Sequence, residues 1–318
     1  PPPPPPPSTP PPPPTTTPRS NRRQRQMCIR DRVITLVLVT HTKQELAEQI
    51  DEWRHNGDHI ALVPTMGNLH AGHLSLVELA REHAERVIVS IFVNPPQLGD
   101  GEDFDKYPRT LERDKRHLKM TPADMIFAPD VETMYPFGPD KATIVSVPEL
   151  TEDFCGAARP GHFDGVTTVV ARLFAIVQPD VAIFGQKDYQ QQLVIRRMAE
   201  DLSLPLGIIT GETIRDDDGL ALSSRNSYLT DAERALAPSL HAALAKTGQE
   251  LQSGRRNFAE LEAEGRQRLT DAGFELDYFS IRRALNLEIP DRDCDDLVVL
   301  VAAQLGAARL IDNIVVTI

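Results

Sequence analysis

The 318-residue sequence has few cysteines and no long apolar run. The three cysteines, Cys28, Cys155 and Cys294, are too few for a disulfide framework or a cysteine-based zinc site, which favours a reducing compartment. The longest apolar run, residues 297–303, is far shorter than the roughly 18 residues that span a bilayer. These absences predict a cytoplasmic protein that does not enter a membrane.

The excess of proline lies at the start of the chain, together with a cluster of basic residues. Residues 1–32 hold 13 of the 27 prolines, six of the 34 basic side chains and one of the 46 acidic ones. We interpret this stretch as a disordered, non-native leader, with an SH3-type ligand and basic arm as the alternative. The remaining 286 residues carry 28 basic against 45 acidic side chains, a net charge near −17. Such a charge repels phosphate backbones and disfavours nucleic-acid binding.

Beyond residue 32, apolar runs alternate with amphipathic helical patterns. Strands are predicted at residues 33–39, 60–63, 87–93, 124–127, 143–147, 181–184 and 206–209, with helices between most of them. Strands separated in this way form a parallel sheet covered on both faces. After residue 213, helices at 231–252 and 258–272 precede strands at 276–281, 297–303 and 310–318. We therefore predict an α/β domain over residues 33–213 and a smaller α+β domain over residues 214–318.

Two histidines follow the predicted strand at residues 60–63, where an open parallel sheet binds its ligands. His70 and His73 are three residues apart, so at a helix start they project the same way, beside free backbone N–H groups that attract phosphate. Gly72, between them, lets a nucleotide lie against the backbone. One such histidine is more often a satisfied core or surface group, and a zinc site lacks further ligands at useful spacing.

Two further clusters carry cations and hydroxyl groups. In residues 185–188, after another predicted strand, Lys187 offers a cation and Asp188 an acceptor for a ribose hydroxyl, although an N-cap Asp explains part of this pattern. Residues 222–226, Leu-Ser-Ser-Arg-Asn, have the composition of a mobile phosphate clamp, or of an ordinary loop.

The sequence contains no P-loop, no G-x-G-x-x-G fingerprint and no G-x-S-x-G nucleophile elbow. It does contain a set of donors and cations: His70, His73, Lys187, Ser223, Ser224 and Arg225. Such a set stabilises charge on phosphoryl oxygens and on leaving pyrophosphate without a protein nucleophile. A carboxylate attacker, with a pKa around 4, needs no general base. The residues therefore predict nucleotidyl transfer.

Six ordered motifs resemble those of one enzyme family. They are PTMGNLHAGH (64–73), SIFVNPPQ (90–97), YPRT (107–110), RPGHFDGV (159–166), FGQKDYQQ (184–191) and DGLALSSRN (218–226). They are similar to the pantothenate synthetase (pantoate–β-alanine ligase) family of HxGH nucleotidylyltransferases, with residues 222–226 as a KMSKS-like loop. The resemblance covers essentially residues 33–318, including LGAARLIDN (305–313).

The resemblance implies a two-step, AMP-forming ligase reaction. Pantoate and ATP would give pantoyl adenylate and pyrophosphate, with Mg²⁺ bound through the ATP phosphates rather than by protein ligands. The amine of β-alanine would then attack the acyl adenylate to give pantothenate and AMP. The resemblance also implies a cytoplasmic homodimer with a Rossmann-like N-terminal domain and a C-terminal lid.

The resemblance assigns roles by position. The catalytic residues would be His73, as proton donor, together with His70, Lys187 and Arg225. The ATP-binding residues would be Pro64, Thr65, Met66, Gly67, Asn68, Leu69, His70, Ala71, Gly72, His73, Gly185, Gln186, Lys187, Asp188, Ile214, Leu222, Ser223, Ser224 and Arg225. Gln97, Gln191 and Asn94 would bind pantoate or β-alanine. Leu98 stands where the family usually has Phe, which would loosen the apolar wall of the pantoate pocket.

Other classes fit the sequence less well. A transferase that stops at the nucleotidyl product, such as a nicotinate-mononucleotide or phosphopantetheine adenylyltransferase, is disfavoured by Gln97, Gln191 and the large C-terminal domain. A non-catalytic binding module would be expected to lose a motif histidine or Lys187, and neither is lost. The acidic charge and the lack of room for an anticodon domain disfavour a tRNA synthetase.

Overall fold

Two β-sheets form the framework of residues 37–98 and 107–318, the part of the chain that the computed structural model describes. The first sheet is parallel throughout and has the strand order β1-β4-β3-β2-β5-β6. Its strands are β1 Leu38–Thr40, β2 Ile60–Thr65, β3 Arg86–Ile91, β4 Met125–Phe127, β5 Val181–Gly185 and β6 Gly207–Gly211. The predicted leader, residues 1–32, lies outside the described residues.

Helices cover both faces of the parallel sheet, as the sequence predicts. They are α1 Lys43–His55, α2 Ala71–Arg81, α3 Leu111–Leu118, α4 Val131–Met134, α5 Cys155–Ala158, α6 His162–Val177 and α7 Tyr189–Asp201. Successive residues of a strand point to opposite faces. In β2, Leu62 therefore packs in the core with α1, α6 and α7, whereas Val63 packs with α2 and α3. Apolar helices on both sides explain why residues 60–63 are apolar without alternation.

The order of the strands creates a ligand crevice between β2 and β5. From β2 the chain continues to β3 on one side, and from β5 it continues to β6 on the other side. In open α/β sheets, such a reversal leaves a crevice at the carboxyl ends of the two strands, where ligands bind. The histidine motif follows β2 and the lysine motif follows β5, so the topology brings the two together.

The second sheet is antiparallel and belongs to the α+β part of the chain, as predicted. Its strands are β7 Glu275–Arg283, β8 Asp296–Leu305 and β9 Ala308–Thr317, in that order. They pack against the helices α8 Asp231–Leu236, α9 Ser239–Gln252 and α10 Phe258–Asp271, and Leu244, Leu261 and Phe279 share one buried cluster. All described residues belong to one compact unit, and the domain boundary between residues 213 and 214 stays a prediction.

Two predicted elements differ in the structure. Residues 143–147 do not form a strand, because threonine side chains of α6 bind their backbone: Val145 N–H donates to Thr168 Oγ1 (3.0 Å), and Thr167 Oγ1 donates to Val145 O. The single helix predicted over residues 231–252 is divided into α8 and α9. Pro238 lies at the division, where it lacks the N–H that would continue the helix.

Candidate active site

A cavity of about 610 Å³ opens at the carboxyl ends of β2 and β5. This volume suits a small-molecule substrate site. Most of the predicted site residues line it, namely Pro64, Thr65, Met66, Gly67, Asn68, His70, Gly72, His73, Gln97, Gly185, Lys187, Asp188, Gln191, Ile214, Leu222, Ser223, Ser224 and Arg225. The fold therefore brings together motifs from widely separated parts of the chain, although their roles stay predictions.

Four of the predicted residues lie outside this lining. Leu69 is buried, with its N–H bonded to Asp114, and Ala71 is exposed as the first residue of α2. The Gln186 side chain turns towards Asn313, whose Oδ1 lies 3.4 Å from Gln186 Nε2. The side chains of these three residues therefore do not face the cavity, and their geometry does not support a direct side-chain contact with ATP.

Asn94 is the fourth of these residues, and it links two segments next to the cavity through hydrogen bonds. Its side chain is 1% exposed. Nδ2 donates to Gly165 O (3.0 Å), and Oδ1 accepts from Tyr135 Oη–H (2.7 Å). A Cβ on Gly165 would lie 2.5 Å from Pro96 O, so α6 and the loop before Gln97 are in close contact. Asn94 thus positions the loop that carries Gln97, and its predicted contact with substrate gains no support from this geometry.

A buried carboxylate holds the loop between β2 and the histidines. Asp114, on α3, is 0% exposed. Its two oxygens accept the backbone N–H groups of Asn68 and Leu69, each at 2.9 Å, and Thr110 Oγ1 donates to it at 2.9 Å. The loop needs this support because Asn68 has a φ of 54°, in the left-handed region. The sequence motif at residues 107–110 ends just before Asp114, and the carboxylate was missed.

The start of α2 sets the orientation of both histidine rings. His70 caps the helix, with Nδ1 accepting Gly72 N–H (3.2 Å), and His73 Nδ1 accepts His70 N–H (3.4 Å). The ring centroids are 4.1 Å apart. A nitrogen that accepts carries no hydrogen in the neutral ring, so each ring bears its hydrogen on Nε2. The expectation of free N–H groups here is wrong for His70 and Gly72, because the rings bind them.

Both rings are held in their neutral form. The pKa of His73 is lowered to about 3, mainly by burial and also by the charges of His70 and Lys187, while Asp188 opposes the shift. Burial also lowers the pKa of His70, together with the positive charge of Lys187, while Asp188 opposes the shift. At neutral pH the rings therefore act as Nε2–H hydrogen-bond donors towards a ligand in the cavity they line.

The lysine motif forms a tight turn at the end of β5. Residues Gln186–Asp188 make one 3-10 turn, after which α7 begins at Tyr189. The Asn313 side chain, on β9, donates to Gln186 O (2.9 Å) and to Lys187 O (3.0 Å). The antiparallel sheet therefore contacts the backbone that carries Lys187.

The serine–arginine loop, residues 222–226, follows a short hairpin. Leu222 N–H donates to Ile214 O (2.9 Å), and Arg215 pairs with Ala221. Beyond the hairpin, Ser223 Oγ accepts the N–H of Arg225 (3.2 Å) and begins a 3-10 turn. This fold presents Ser223, Ser224 and Arg225 to the same cavity as the lysine turn.

Arg159 and His162 also line the cavity, in a motif to which the sequence analysis gave no role. His162 is 7% exposed, and its Nδ1 lies 2.8 Å from Gln97 O. Its Nε2 lies 2.8 Å from Arg159 Nη1. Since the carbonyl and the guanidinium define an acceptor and a donor, His162 is the neutral Nδ1–H tautomer. This chain of bonds fixes the backbone of Gln97.

Within the described ranges, no three His, Cys, Asp or Glu residues are grouped as a metal site would require. No helix in those ranges is long and apolar enough to cross a membrane. The carboxylates in the lining of the cavity are those of Asp188 and Glu212.

The parallel sheet, with its cavity where the strand order reverses, defines an α/β protein of the doubly wound class, in which ligands bind at the carboxyl ends of the strands. The sequence model of one family, described as "Pantoate-beta-alanine ligase", matches residues 38–315. The chain therefore belongs to the pantoate–β-alanine ligase family.

Individual relatives agree with this assignment. The chain is 53% identical over 277 residues to a pantothenate synthetase of Pseudomonas fluorescens, covering 87% of this chain and 98% of that protein. The crystal structure of pantothenate synthetase from Thermus thermophilus is similar, with a TM-score of 0.81, 46% identity, and coverage of 87% and 99%. A Francisella tularensis pantoate–β-alanine ligase, complexed with "Beta-gamma ATP" and β-alanine, has a TM-score of 0.71, 30% identity, and coverage of 88% and 97%.

Proposed function

We propose that this protein is a pantoate–β-alanine ligase, which condenses pantoate with β-alanine and converts ATP to AMP and pyrophosphate. The observation that carries the proposal is the meeting of the HxGH pair, Lys187 and Arg225 around one cavity that also contains Gln97 and Gln191. Family membership over residues 38–315 supports the same activity. The reaction proceeds through a pantoyl adenylate.

In the first step, the pantoate carboxylate attacks the α-phosphorus of ATP. A carboxylate is ionised at neutral pH and needs no base. The Nε2–H groups of His70 and His73 donate to the phosphoryl oxygens as negative charge develops on them, and Lys187 and Arg225 balance the charge of the leaving pyrophosphate. Arriving phosphate charge raises the affinity of the His73 ring for a proton, which is the direction that the predicted role of proton donor requires.

In the second step, the amine of β-alanine attacks the acyl carbon of the adenylate. A C–N bond forms, the bond from the acyl carbon to the phosphate oxygen breaks, and AMP leaves with the electron pair; the amine loses its proton. Gln97 and Gln191 hold the pantoyl group through its hydroxyl and carbonyl oxygens. Val166 and Val170 of α6 add apolar lining that suits its methyl groups.

Mg²⁺ fits the donors of the cavity as a partner of ATP. This ion is usually bound by one or two carboxylates together with phosphates and waters. Asp188 is assigned to the ribose, so the ion would be held through the ATP phosphates, with the Glu212 carboxylate in the same lining to accept hydrogen bonds from its waters. The ion would neutralise part of the triphosphate charge.

We also propose a cytoplasmic homodimer. The described cysteines, Cys155 and Cys294, are both free thiols, as a reducing compartment favours. Phe137 and Ile144 expose 81% and 67% of their surfaces, close together in the chain, and a second copy of the chain would cover them. Light scattering of the protein and of a Phe137→Glu variant tests the dimer, which an unchanged monomeric mass in both would exclude.

One assay tests the ligase activity. The protein is incubated with ATP, Mg²⁺ and pantoate, with and without β-alanine, while pyrophosphate and AMP are followed. We expect pyrophosphate release to depend on pantoate, and AMP release to require β-alanine. Turnover without pantoate, or no AMP after β-alanine is added, would exclude the ligase. Lys187→Ala should slow adenylation by about 10²–10³, the typical value of one charge-stabilising donor.

A further inference from the structure

Two adjacent residues in the middle of β9, Asp312 and Asn313, contact the lysine turn and the hairpin that leads to the serine–arginine loop. They end the motif at residues 305–313, to which the resemblance gives no role. Asp312 is 3% exposed and Asn313 is 2% exposed. Consecutive side chains of a strand point to opposite faces, so this dipeptide reaches two different loops at once.

Asn313 binds the lysine turn through backbone atoms. Its single Nδ2 group donates both hydrogens, one to Gln186 O (2.9 Å) and one to Lys187 O (3.0 Å). Gln186 Nε2 approaches Asn313 Oδ1 at 3.4 Å. The amide therefore spans two successive carbonyls and restricts the peptide that carries the Lys187 side chain into the cavity.

Asp312 binds the hairpin that leads to the serine–arginine loop. Arg215 Nη1 and Nη2 donate to the two carboxylate oxygens at 2.6 and 2.9 Å, in the bidentate geometry that fixes direction as well as distance. Arg215 Nη1 also donates to Gly219 O (3.1 Å), inside the hairpin. His241 adds a contact, with Nδ1 at 3.7 Å from Asp312 Oδ2.

We propose that Asp312 and Asn313 are positioning residues that hold the lysine turn and the serine–arginine loop at a fixed separation around the triphosphate of ATP. The inference rests on the proposed function only in that ATP occupies the cavity. Catalytic groups lose much of their effect when they are displaced by about 1 Å, which costs on the order of 10²-fold in rate. One strand that binds both loops prevents such a displacement.

A double-mutant cycle tests whether Asn313 acts through Lys187. We expect Asn313→Ala to lower kcat/KM for ATP by about 10- to 100-fold, with KM for pantoate changed less than about twofold. In a Lys187→Ala background, the same substitution should change kcat/KM for ATP less than about twofold, because its target is already lost. An equal loss in both backgrounds, or an equal rise in KM for pantoate, would overturn the proposal.

Matched variants separate positioning from stability. Thr317→Ala removes a polar group from the same strand, where Thr317 Oγ1 bonds the exposed Asp296, and should leave kinetics unchanged. Asn313→Ser, a smaller perturbation, replaces Asn313→Ala in the cycle if the alanine variant does not fold. The role of Asp312 is tested through its partner, because Arg215→Lys keeps the charge but loses the bidentate pair. This substitution should weaken ATP binding about tenfold, and it should have no further effect on ATP binding in an Arg225→Ala background. Additive effects with Arg225→Ala would refute the role of Asp312.

Calorimetry with a non-hydrolysable ATP analogue makes the test independent of the ligase reaction. Asn313→Ala should weaken binding of the analogue tenfold or more, and the same substitution should have no effect on binding in a Lys187→Ala background. These two results support the positioning role even if no pantothenate forms. That result would then count against the proposed ligase alone. Wild-type ligase activity with unaltered analogue binding in Asn313→Ala would overturn the positioning role alone.

Discussion

Replacement of Asp114 by Asn should damage the proposed ATP site, although Asp114 is not part of the cavity lining. The Asp114 carboxylate accepts the N–H groups of Asn68 and Leu69 with one oxygen each. An Asn side chain has the same shape but offers one oxygen and one NH₂, so one of the two N–H groups must face another donor. The loop before the histidines then loses one of the bonds that hold Asn68 in its left-handed conformation.

The size of the effect follows from burial. A hydrogen bond to a charged group contributes about 1.5–3 kcal/mol, and a buried donor left without a partner costs about 1–3 kcal/mol. Because Asp114 is 0% exposed, water does not restore the lost bond. We expect Asp114→Asn to lower the free energy of unfolding by about 2–4 kcal/mol. In a chain of this size, each 1 kcal/mol lowers Tm by roughly 2–4 °C, so Tm should fall by about 5–15 °C.

Calorimetric melting and initial-rate kinetics measure the two consequences. At a temperature where the variant is folded, kcat/KM for ATP should fall by about tenfold or more, because the displaced loop leads directly into His70. Glu112→Gln is the matched control: it makes the same chemical change two residues earlier on α3, at an exposed carboxylate that pairs with Lys115, and should change Tm by little. An Asp114→Asn variant with the Tm and ATP kinetics of the wild type would refute the reasoning.

Three further outcomes follow from the site. Gly72→Ala should lower kcat/KM for ATP about tenfold or more, because a Cβ there would lie 3.0 Å from two atoms of the His70 ring; unchanged rates would show that the ring has room to move. His73 has its pKa lowered from 6.5 to about 3, so below pH 6.5 the unfolded chain binds a proton that the folded chain binds only near pH 3. Stability is therefore lost as the pH falls through this window, by up to about 1.4 kcal/mol per pH unit, and denaturant melts of His73→Gln should show a shallower loss than the wild type, whereas equal slopes would contradict the shift. His162→Phe should raise KM for pantoate several-fold with little change in KM for ATP, through the lost bond to Gln97 O, and initial rates with both substrates varied would expose a change in the wrong KM.

The sequence predicts the fold well where the pattern is local. The apolar run at residues 60–63 predicts a buried strand, and β2 is present there. Residues 143–147 were predicted to form a strand because their β-branched residues favour extended backbone. Their partner is a set of threonine side chains on α6, which no local pattern of residues 143–147 reveals.

The same distinction applies to the candidate site. Many of the residues that line the cavity occur in short motifs, and the motifs at residues 64–73 and 185–188 lie at strand ends that converge. Asp114 and Asn313 were missed because they bind the backbone of motifs that lie 45 and 126 residues away in the chain. Such residues act through another residue's peptide group, so neither their type nor their spacing identifies the loop that they hold.

The two histidine rings change what the start of α2 offers to an anion. A helix start usually binds phosphate with backbone N–H groups, which attract negative charge but do not ionise. Here His70 and His73 bind two of those groups through Nδ1 and present Nε2–H in their place. The donors at this helix start are therefore imidazole rings, which can take up a proton, in place of backbone amides, which cannot. The affinity of each ring for a proton rises as phosphate charge approaches. In the proposed complex with ATP, this helix start would both attract the triphosphate and gain proton affinity as the triphosphate arrives.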